Sequence, residues 1–315
     1  MADPLVLIYN SEAEYYARKL AAQVPGARYQ PAITLEDALP FAAEARVIVG
    51  LAPYIPDALF AAAPQLEWVQ ALTTGIDNLL AHPGLKGVAL TNCGGIHGPQ
   101  MSELAILSML ALARRFPAMV ENQKAARWEP WRQSLLQHKT LCIVGLGAIA
   151  QTLAGIAAAF GMRVTGVSDG RAEVPGFARV FSRADLPQAM AEADFTVVLV
   201  PYSPATHHLV NARAIAAMKP TGFLVNIARG GCVDEAAVLA ALQGGRIAGA
   251  ALDVFSTEPL PEDSPFWSAP NCIVTPHVGG FSDTYHEQAL PVIAANMADW
   301  VRGGTAALQH RLDKG

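Results

Sequence analysis

The sequence predicts an α/β protein of two domains, each with a parallel sheet flanked by helices. Three observations carry that expectation. At 315 residues the chain is long enough for two domains of ordinary size. Its apolar runs are short and mostly unbroken, as strands buried on both faces require. Alanine-rich helical stretches alternate with those runs, which is the grammar of repeated strand–helix units.

In the first part, residues 5–9, 47–49, 68–71 and 88–91 are the expected strands, with a helix over 11–23. In the second part, residues 140–144, 163–167, 195–199, 222–226, 247–252 and 272–274 are strand candidates. Between the parts, the turn at Gly98-Pro99 leads into a long apolar-periodic stretch, so a connecting helix is expected from there to about residue 118. A last helix is expected over 284–302, stopped by Gly303-Gly304.

A formal net charge of -5 with no basic block argues against a nucleic-acid footprint or a polybasic membrane patch, and small molecules become the expected ligands. Apolar runs such as 104–107 and 196–200 fall far short of the roughly 20 residues that cross a bilayer. The first residues, Met-Ala-Asp-Pro-Leu-Val-Leu-Ile, lack a basic segment ahead of the apolar one, so a first strand in a cytoplasmic protein is expected and not a signal peptide. Cys93, Cys142, Cys232 and Cys272 lie far apart without CxxC spacing, which suggests neither a zinc site nor a disulfide framework. His207-His208 has no evident third ligand, so no metal is expected there either.

LCIVGLGAIAQ, residues 141–151, runs an apolar strand into Gly145-Leu146-Gly147-Ala148-Ile149-Ala150 and then into a helix-forming stretch. This is the G-x-G-x-x-G/A dinucleotide fingerprint in its strand-to-helix context, and it makes a Rossmann-like fold the expectation. Gly145 permits the tight turn, and Gly147 lets the backbone approach a pyrophosphate at the helix N-terminus. Ala150 stands where close helix–strand packing needs a small residue. About 20 residues on, a ribose-binding acid is expected. Asp169 fits, but Ser168 occupies the spot where the acid often stands, and Arg171 can instead meet a 2′-phosphate. The choice between NAD and NADP stays open.

Three later stretches each end an apolar strand in polar residues: NIARGGCVDE at 226–235, ALDVFSTEPLP at 251–261 and TPHVGG at 275–280. In a parallel sheet the carboxyl ends of the strands open on one crevice, where Arg229, Asp253, Glu258 and His277 can converge. Taken singly, Asp253 is a strand-end cap and His277 a turn histidine beside glycines. Taken together with the fingerprint and TTGIDNL at 73–79, they resemble the D-isomer-specific 2-hydroxyacid dehydrogenases, in the family's order and over nearly the whole chain.

The resemblance implies a discontinuous substrate domain, residues 1–98 plus 284–315, and a dinucleotide-binding domain, residues 99–283, with an active-site cleft between them. It implies catalytic roles for three residues: Arg229 for the substrate carboxylate, His277 as acid/base and Glu258 as the carboxylate paired with that histidine. Thr74, Gly75 and Ile76 match the loop whose backbone meets the substrate. The cofactor set it implies is Gly145, Gly147, Ala148, Ile149, Ser168, Asp169, Arg171, Pro201, Thr206, Ile227, Ala228, Arg229, Asp253, His277 and Gly279. A homodimer through the connecting helix is expected from the family.

These residue types suit the chemistry. A 2-oxo acid presents a carboxylate that a guanidinium holds by a fork of hydrogen bonds. Reduction needs an imidazolium within reach of the carbonyl oxygen, and oxidation needs the neutral ring. A carboxylate beside the ring favours its charged form and fixes its tautomer. The expected reaction is hydride transfer between NAD(P)H and a small 2-oxo acid, such as glyoxylate or hydroxypyruvate, to give the D-2-hydroxy acid. The alternatives are a dehydrogenase of bulkier 2-oxo acids and a non-enzymatic dinucleotide-sensing regulator. The regulator predicts loss of one of the three catalytic residues, and all three are present.

Overall fold

The structure, a computed structural model, describes residues 3–80, 82–309 and 311–312. The chain divides into two compact units. One runs up to Ile96 and resumes at Ser282, and the other is His97–Phe281.

The first unit begins as β1 (Leu5–Tyr9), α1 (Ala13–Gln23), β2 (Arg28–Ala32), α2 (Leu35–Ala42), β3 (Ala45–Gly50), α3 (Asp57–Ala61), β4 (Trp68–Ala71), α4 (Asp77–Leu80) and β5 (Ala89–Thr91). The second unit follows: α5 (Gly98–Arg114), α6 (Phe116–Lys124), β6 (Thr140–Val144), α7 (Ala148–Ala159), β7 (Arg163–Val167), β8 (Arg179–Phe181), α8 (Leu186–Glu192), β9 (Phe195–Val198), α9 (Ala212–Ala217), β10 (Phe223–Asn226), α10 (Glu235–Gln243), β11 (Gly249–Leu252) and β12 (Cys272–Val274). The chain then returns to the first unit for α11 (Tyr285–Gly303).

Among the described residues, the first unit holds a five-stranded sheet in the order β2-β1-β3-β4-β5, with all pairs parallel. Alternate residues of its strands enter two cores. Val6, Ile8 and Trp68 pack with Tyr16, Leu20, Ile293 and Met297, whereas Leu7, Ile48 and Val69 pack with Leu59 and Leu79. That period of two, buried on both faces, is why these strands are continuously apolar. A buried polar chain pins α11: Asn296 Nδ2 donates to Gln70 Oε1 at 2.7 Å, Thr91 Oγ1 to the same oxygen at 2.7 Å, and Trp68 Nε1 to Thr91 Oγ1 at 2.8 Å.

The second unit holds a seven-stranded parallel sheet in the order β12-β11-β10-β9-β6-β7-β8. Helices α5 and α7 pack on one face through Met101, Met109, Leu153 and Ala157. On the other face Leu186, Ala214, Ile215 and Val238 of α8, α9 and α10 pack on the sheet. From β6 the chain proceeds outward to β7 and β8, then crosses back to β9 on β6's other side. That reversal opens a crevice at the carboxyl ends of β6 and β9, the place where open α/β sheets bind ligands.

Two strands lie outside the sequence expectation, β2 and β8. Both are edge strands with little apolar signal; β2 even carries Pro31, which an edge tolerates because one side of its ladder is empty. The connecting helix also differs from the expected single helix to about residue 118. It stops at Arg114, Arg115 turns left-handed at φ 55°, and α6 starts afresh with Pro117 in its first turn. Proline has no N–H to continue the ladder and disfavours helical backbone at the residue before it.

Leu153 is fully buried and Ile33 is half exposed. Leu153→Ala should therefore lower unfolding stability in urea by about 2–5 kcal/mol, whereas Ile33→Ala should change it by less than about 0.5 kcal/mol.

Candidate active site

The fingerprint turn leaves β6 with Gly145 at φ +100°. A Cβ there would stand 2.8 Å from the backbone nitrogen of Val200, so glycine is required both by conformation and by the close approach of the β9 end. Gly147 caps α7, and a Cβ built on it would meet nothing within 4 Å. The first N–H to enter the ladder is that of Gln151, to Gly147 O at 3.3 Å, so the N–H groups of residues 147–150 have no backbone acceptor among the described residues. An open, donor-rich helix N-terminus fits a pyrophosphate. Gly147 and Ala148 are exposed and Ile149 is half-buried, whereas Ala150 is fully buried against the sheet.

At the end of β7, Ser168 Oγ accepts from Gly170 N at 3.2 Å. Asp169 is exposed; its carboxylate accepts from Arg183 N at 2.8 Å and lies 3.6 Å from the Arg183 guanidinium. Arg183, which the sequence reading did not single out, thus stands beside Asp169, with Arg171 exposed nearby in the chain. Pro201 is exposed at the start of the loop after β9. Thr206 is buried, and its hydroxyl serves that loop, accepting from Ser203 N and donating to Pro201 O, both at 2.7 Å.

Arg229 follows β10 on a turn clamped by Asn226. The buried Asn226 amide donates to Arg229 O at 3.0 Å and accepts from Ala228 N at 3.1 Å. Ile227 and Ala228 are buried under that turn, and Arg229 Nη1 donates to Ala228 O at 2.6 Å. Gly230 brings it against the next loop: a Cβ on Gly230 would fall 2.0 Å from Phe255 C and 2.2 Å from Ser256 N. No side chain fits there, so the Arg229 turn and the Glu258 loop touch backbone to backbone.

Asp253 ends β11 and is 2% exposed. Its Oδ1 accepts from Thr275 Oγ1 at 2.6 Å and Val278 N at 3.0 Å, and its Oδ2 accepts from Gly279 N at 3.0 Å. Its carbonyl accepts from His277 N at 2.8 Å. The whole 275–279 turn is thereby built on one carboxylate, with His277 held at φ +53°, a left-handed conformation that costs a non-glycine residue free energy unless its surroundings impose it.

The His277 ring donates from Nδ1 to Glu258 Oε2 at 2.7 Å, and Glu258 Oε1 accepts from Phe255 N at 2.8 Å. Burial opposes ionisation of Glu258, but the hydrogen bonds from His277 and Phe255 and the charges of His277 and Arg229 outweigh it and hold the carboxyl below its usual range. With Nδ1 engaged and the side chain 46% exposed, Nε2 is the ring nitrogen presented outward. Glu258, His277, Arg229 and Asp253 are thus brought together in the second unit. Thr74, Gly75 and Ile76 lie in the first. There Thr74 Oγ1 donates to Cys93 O at 3.0 Å, Thr73 Oγ1 to Gly75 O at 2.7 Å, and Asn92 Nδ2 to Thr74 O at 2.7 Å. The backbone N–H groups of Gly75 and Ile76 donate to no acceptor among the described residues.

Residues 106–279 match the family described as D-isomer specific 2-hydroxyacid dehydrogenase, NAD binding domain. The chain belongs to the D-isomer specific 2-hydroxyacid dehydrogenase family. It is an oxidoreductase of 2-hydroxy acids that uses NAD or NADP. This dehydrogenase is 33% identical over 280 residues to glyoxylate/hydroxypyruvate reductase B of Escherichia fergusonii, covering 86% of this chain and 84% of that one. It superposes on a D-isomer specific 2-hydroxyacid dehydrogenase family protein of Aeromonas salmonicida with a TM-score of 0.92 at 34% identity, over 100% of both chains. An NADPH-dependent glyoxylate/hydroxypyruvate reductase of Sinorhizobium meliloti, in complex with NADP and sulfate, superposes with a TM-score of 0.83 at 28% identity, over 99% of this chain and 98% of that one.

Asn226 and Thr275 lay hidden in the dehydrogenase's motifs as ordinary strand-end residues, although N-x-A-R and T-P-H contain them. The signal was their polarity at positions where a buried strand ends. No helix among the described residues is long and apolar enough to cross a membrane, and no group of three or more His, Cys, Asp or Glu among them is arranged to hold a metal.

Asp253→Asn would set an amide N–H against backbone N–H donors of Val278 or Gly279. Turnover should fall at least about tenfold, as expected when a buried charge-assisted network loses an acceptor. Binding of NADH or NADPH, followed by fluorescence titration, should change far less, because the α7 N-terminus is untouched.

Proposed function

We propose that this dehydrogenase reduces small 2-oxo acids, of the glyoxylate and hydroxypyruvate kind, to D-2-hydroxy acids. Arg229 binds the carboxylate, and the His277–Glu258 pair moves the proton. The observation that carries the residue roles is the Nδ1–carboxylate bond of 2.7 Å, made beside a guanidinium whose charge reaches the same carboxylate. The reductases of Escherichia fergusonii and Sinorhizobium meliloti support the substrate class.

The N–H groups at the start of α7 and the chain around residues 168–171 and 201–206 would hold the dinucleotide, which would supply the hydride when bound. Both a carboxylate, Asp169, and the guanidinium groups of Arg171 and Arg183 stand at the ribose end, able to meet hydroxyls or a 2′-phosphate. Arg229 offers donors in a planar fork to the substrate carboxylate and polarises the adjacent carbonyl. His277 then delivers its Nε2 proton to the carbonyl oxygen, while Glu258 stays ionised, keeps the ring in register through Nδ1 and stabilises its charge. In the oxidative direction the neutral ring, with its proton on Nδ1, accepts the alcohol proton at Nε2. By the family resemblance, the first unit, with Thr74, Gly75 and Ile76, is the substrate domain.

Oxidation of NADH and NADPH with glyoxylate and hydroxypyruvate, followed in absorbance, tests the reading. His277→Ala should lower kcat by about 10²–10⁴-fold, the usual range for a general acid. Arg229→Ala should raise KM and lower kcat together, because its fork binds both ground and transition states. Wild-type rates from a folded His277→Ala protein would contradict the acid/base role.

We further propose a cytoplasmic homodimer formed through α5, α6 and the segment after them. Leu107 and Phe116 are more than half exposed, Trp128 is 97% exposed, and a groove of about 550 Å³ is lined by Met119, Asn122, Trp128, Pro130 and Trp131. Apolar exposure on that scale in one region suits an interface between copies. Sedimentation should give roughly twice the 33.3 kDa chain mass. Trp128→Asp should shift the mass toward the monomer.

A further inference from the structure

A second histidine lies against the same turn. His97 caps α5 and is 8% exposed, and its carbonyl accepts from Met101 N at 3.2 Å. A Cβ built on Gly280 would lie 3.4 Å from His97 Cδ2 and 3.7 Å from Nε2, so the imidazole rests in van der Waals reach of the glycine end of TPHVGG. Three residues on, Gln100 Nε2 donates to Gly280 O at 3.5 Å. Gly279 is hemmed in as well: a Cβ there would stand 2.7 Å from Leu104 Cδ2 and 3.1 Å from Met101 Sδ. The first turns of α5 therefore press on both glycines, while Asp253 ties the turn from below.

We propose that His97 is a positioning residue of this dehydrogenase: its buried ring, set beside Gly280 at the start of α5, backs the turn that aims His277. The inference rests on His277 being the acid/base. Burial, reinforced by the charge of Arg229, pushes the His97 imidazole down to about 4, which favours the neutral ring near pH 7. A neutral, buried ring beside a guanidinium cannot be the imidazolium that reduction requires. The imidazole bounds the space beside Gly280, so the turn cannot slide far toward α5.

A double-mutant cycle on the full chain, assayed with glyoxylate and the better of NADH and NADPH, tests this. His97→Ala should lower kcat about tenfold with KM for glyoxylate within about twofold, because Arg229 keeps its place while His277 loses its aim. A Cβ on Gly280 only just reaches the ring, so Gly280→Val, whose branches extend beyond it, should lower kcat severalfold by pushing on the ring. In the double variant with His97→Ala the valine side chain occupies the vacated space, so kcat should exceed that of His97→Ala alone, a non-additivity confined to residues in contact. His97→Gln, planar and uncharged, should stay within about threefold of wild type. Should His97→Ala fail to fold, His97→Gln and Gly280→Val carry the comparison. Near-wild-type kcat for the first with a severalfold loss for the second supports the proposal, and the reverse order overturns it. A kcat for His97→Ala within twofold of wild type, or strictly additive losses, also overturns it. Absence of turnover by the wild type with any 2-oxo acid would instead sink the reading of His277 on which it rests.

Discussion

One buried carboxylate organises the site. Asp253, 2% exposed, accepts hydrogen bonds from Thr275, Val278 and Gly279, and through its own carbonyl from His277. An ionised group removed from water is costly unless donors replace its hydration. Here three donors do so, each charge-assisted bond contributing roughly 1.5–3 kcal/mol. The free energy of that arrangement offsets a left-handed histidine backbone. Without the carboxylate the Thr275–Gly279 turn would lose its template, and the ring would have no reason to point at Glu258.

The second constraint is strand register. β10, β11 and β12 are parallel neighbours with Asn226, Leu252 and Val274 side by side. The next few residues of each strand therefore emerge on one edge of the sheet: Arg229 from the first, Asp253 and Glu258 from the second, His277 from the third. Residues 48 apart in the chain, Arg229 and His277, are thus delivered to one place by pairing alone. Gly230 completes the arrangement, because its missing side chain lets the Arg229 turn lie on the backbone of Phe255 and Ser256. That closeness is why the guanidinium acts on Glu258 and on His97.

Much of this was legible in the sequence, and the limits have physical causes. Central strands announce themselves because burial on both faces leaves an unbroken apolar run; β1, β4, β6 and β7 have the expected bounds. Edge strands carry half that requirement, so Arg28-Tyr29-Gln30-Pro31-Ala32 and Arg179-Val180-Phe181 gave no such signal. The left-handed Arg115 that breaks the connecting helix is a backbone conformation with no residue-type signature, although Pro117 marks the place. Arg229, Glu258 and His277 were legible as chemistry-bearing residues in motifs. The supports were not: Arg183 meets Asp169 across 14 residues, Asn226 clamps Arg229 by a side-chain amide, and His97 reaches Gly280 across 183. Such contacts depend on the fold, and only coordinates display them.

Glu258 accepts a hydrogen bond from Nδ1 of His277, which leaves Nε2 as the ring nitrogen open to a reacting oxygen. Long-range ¹H–¹⁵N correlation spectroscopy of the imidazole at a pH where the ring is neutral tests it most directly. A protonated Nδ1 and an unprotonated Nε2 are expected, with that pattern lost in Glu258→Ala. An Nε2-protonated tautomer in the wild type, or a pattern indifferent to Glu258, would contradict it.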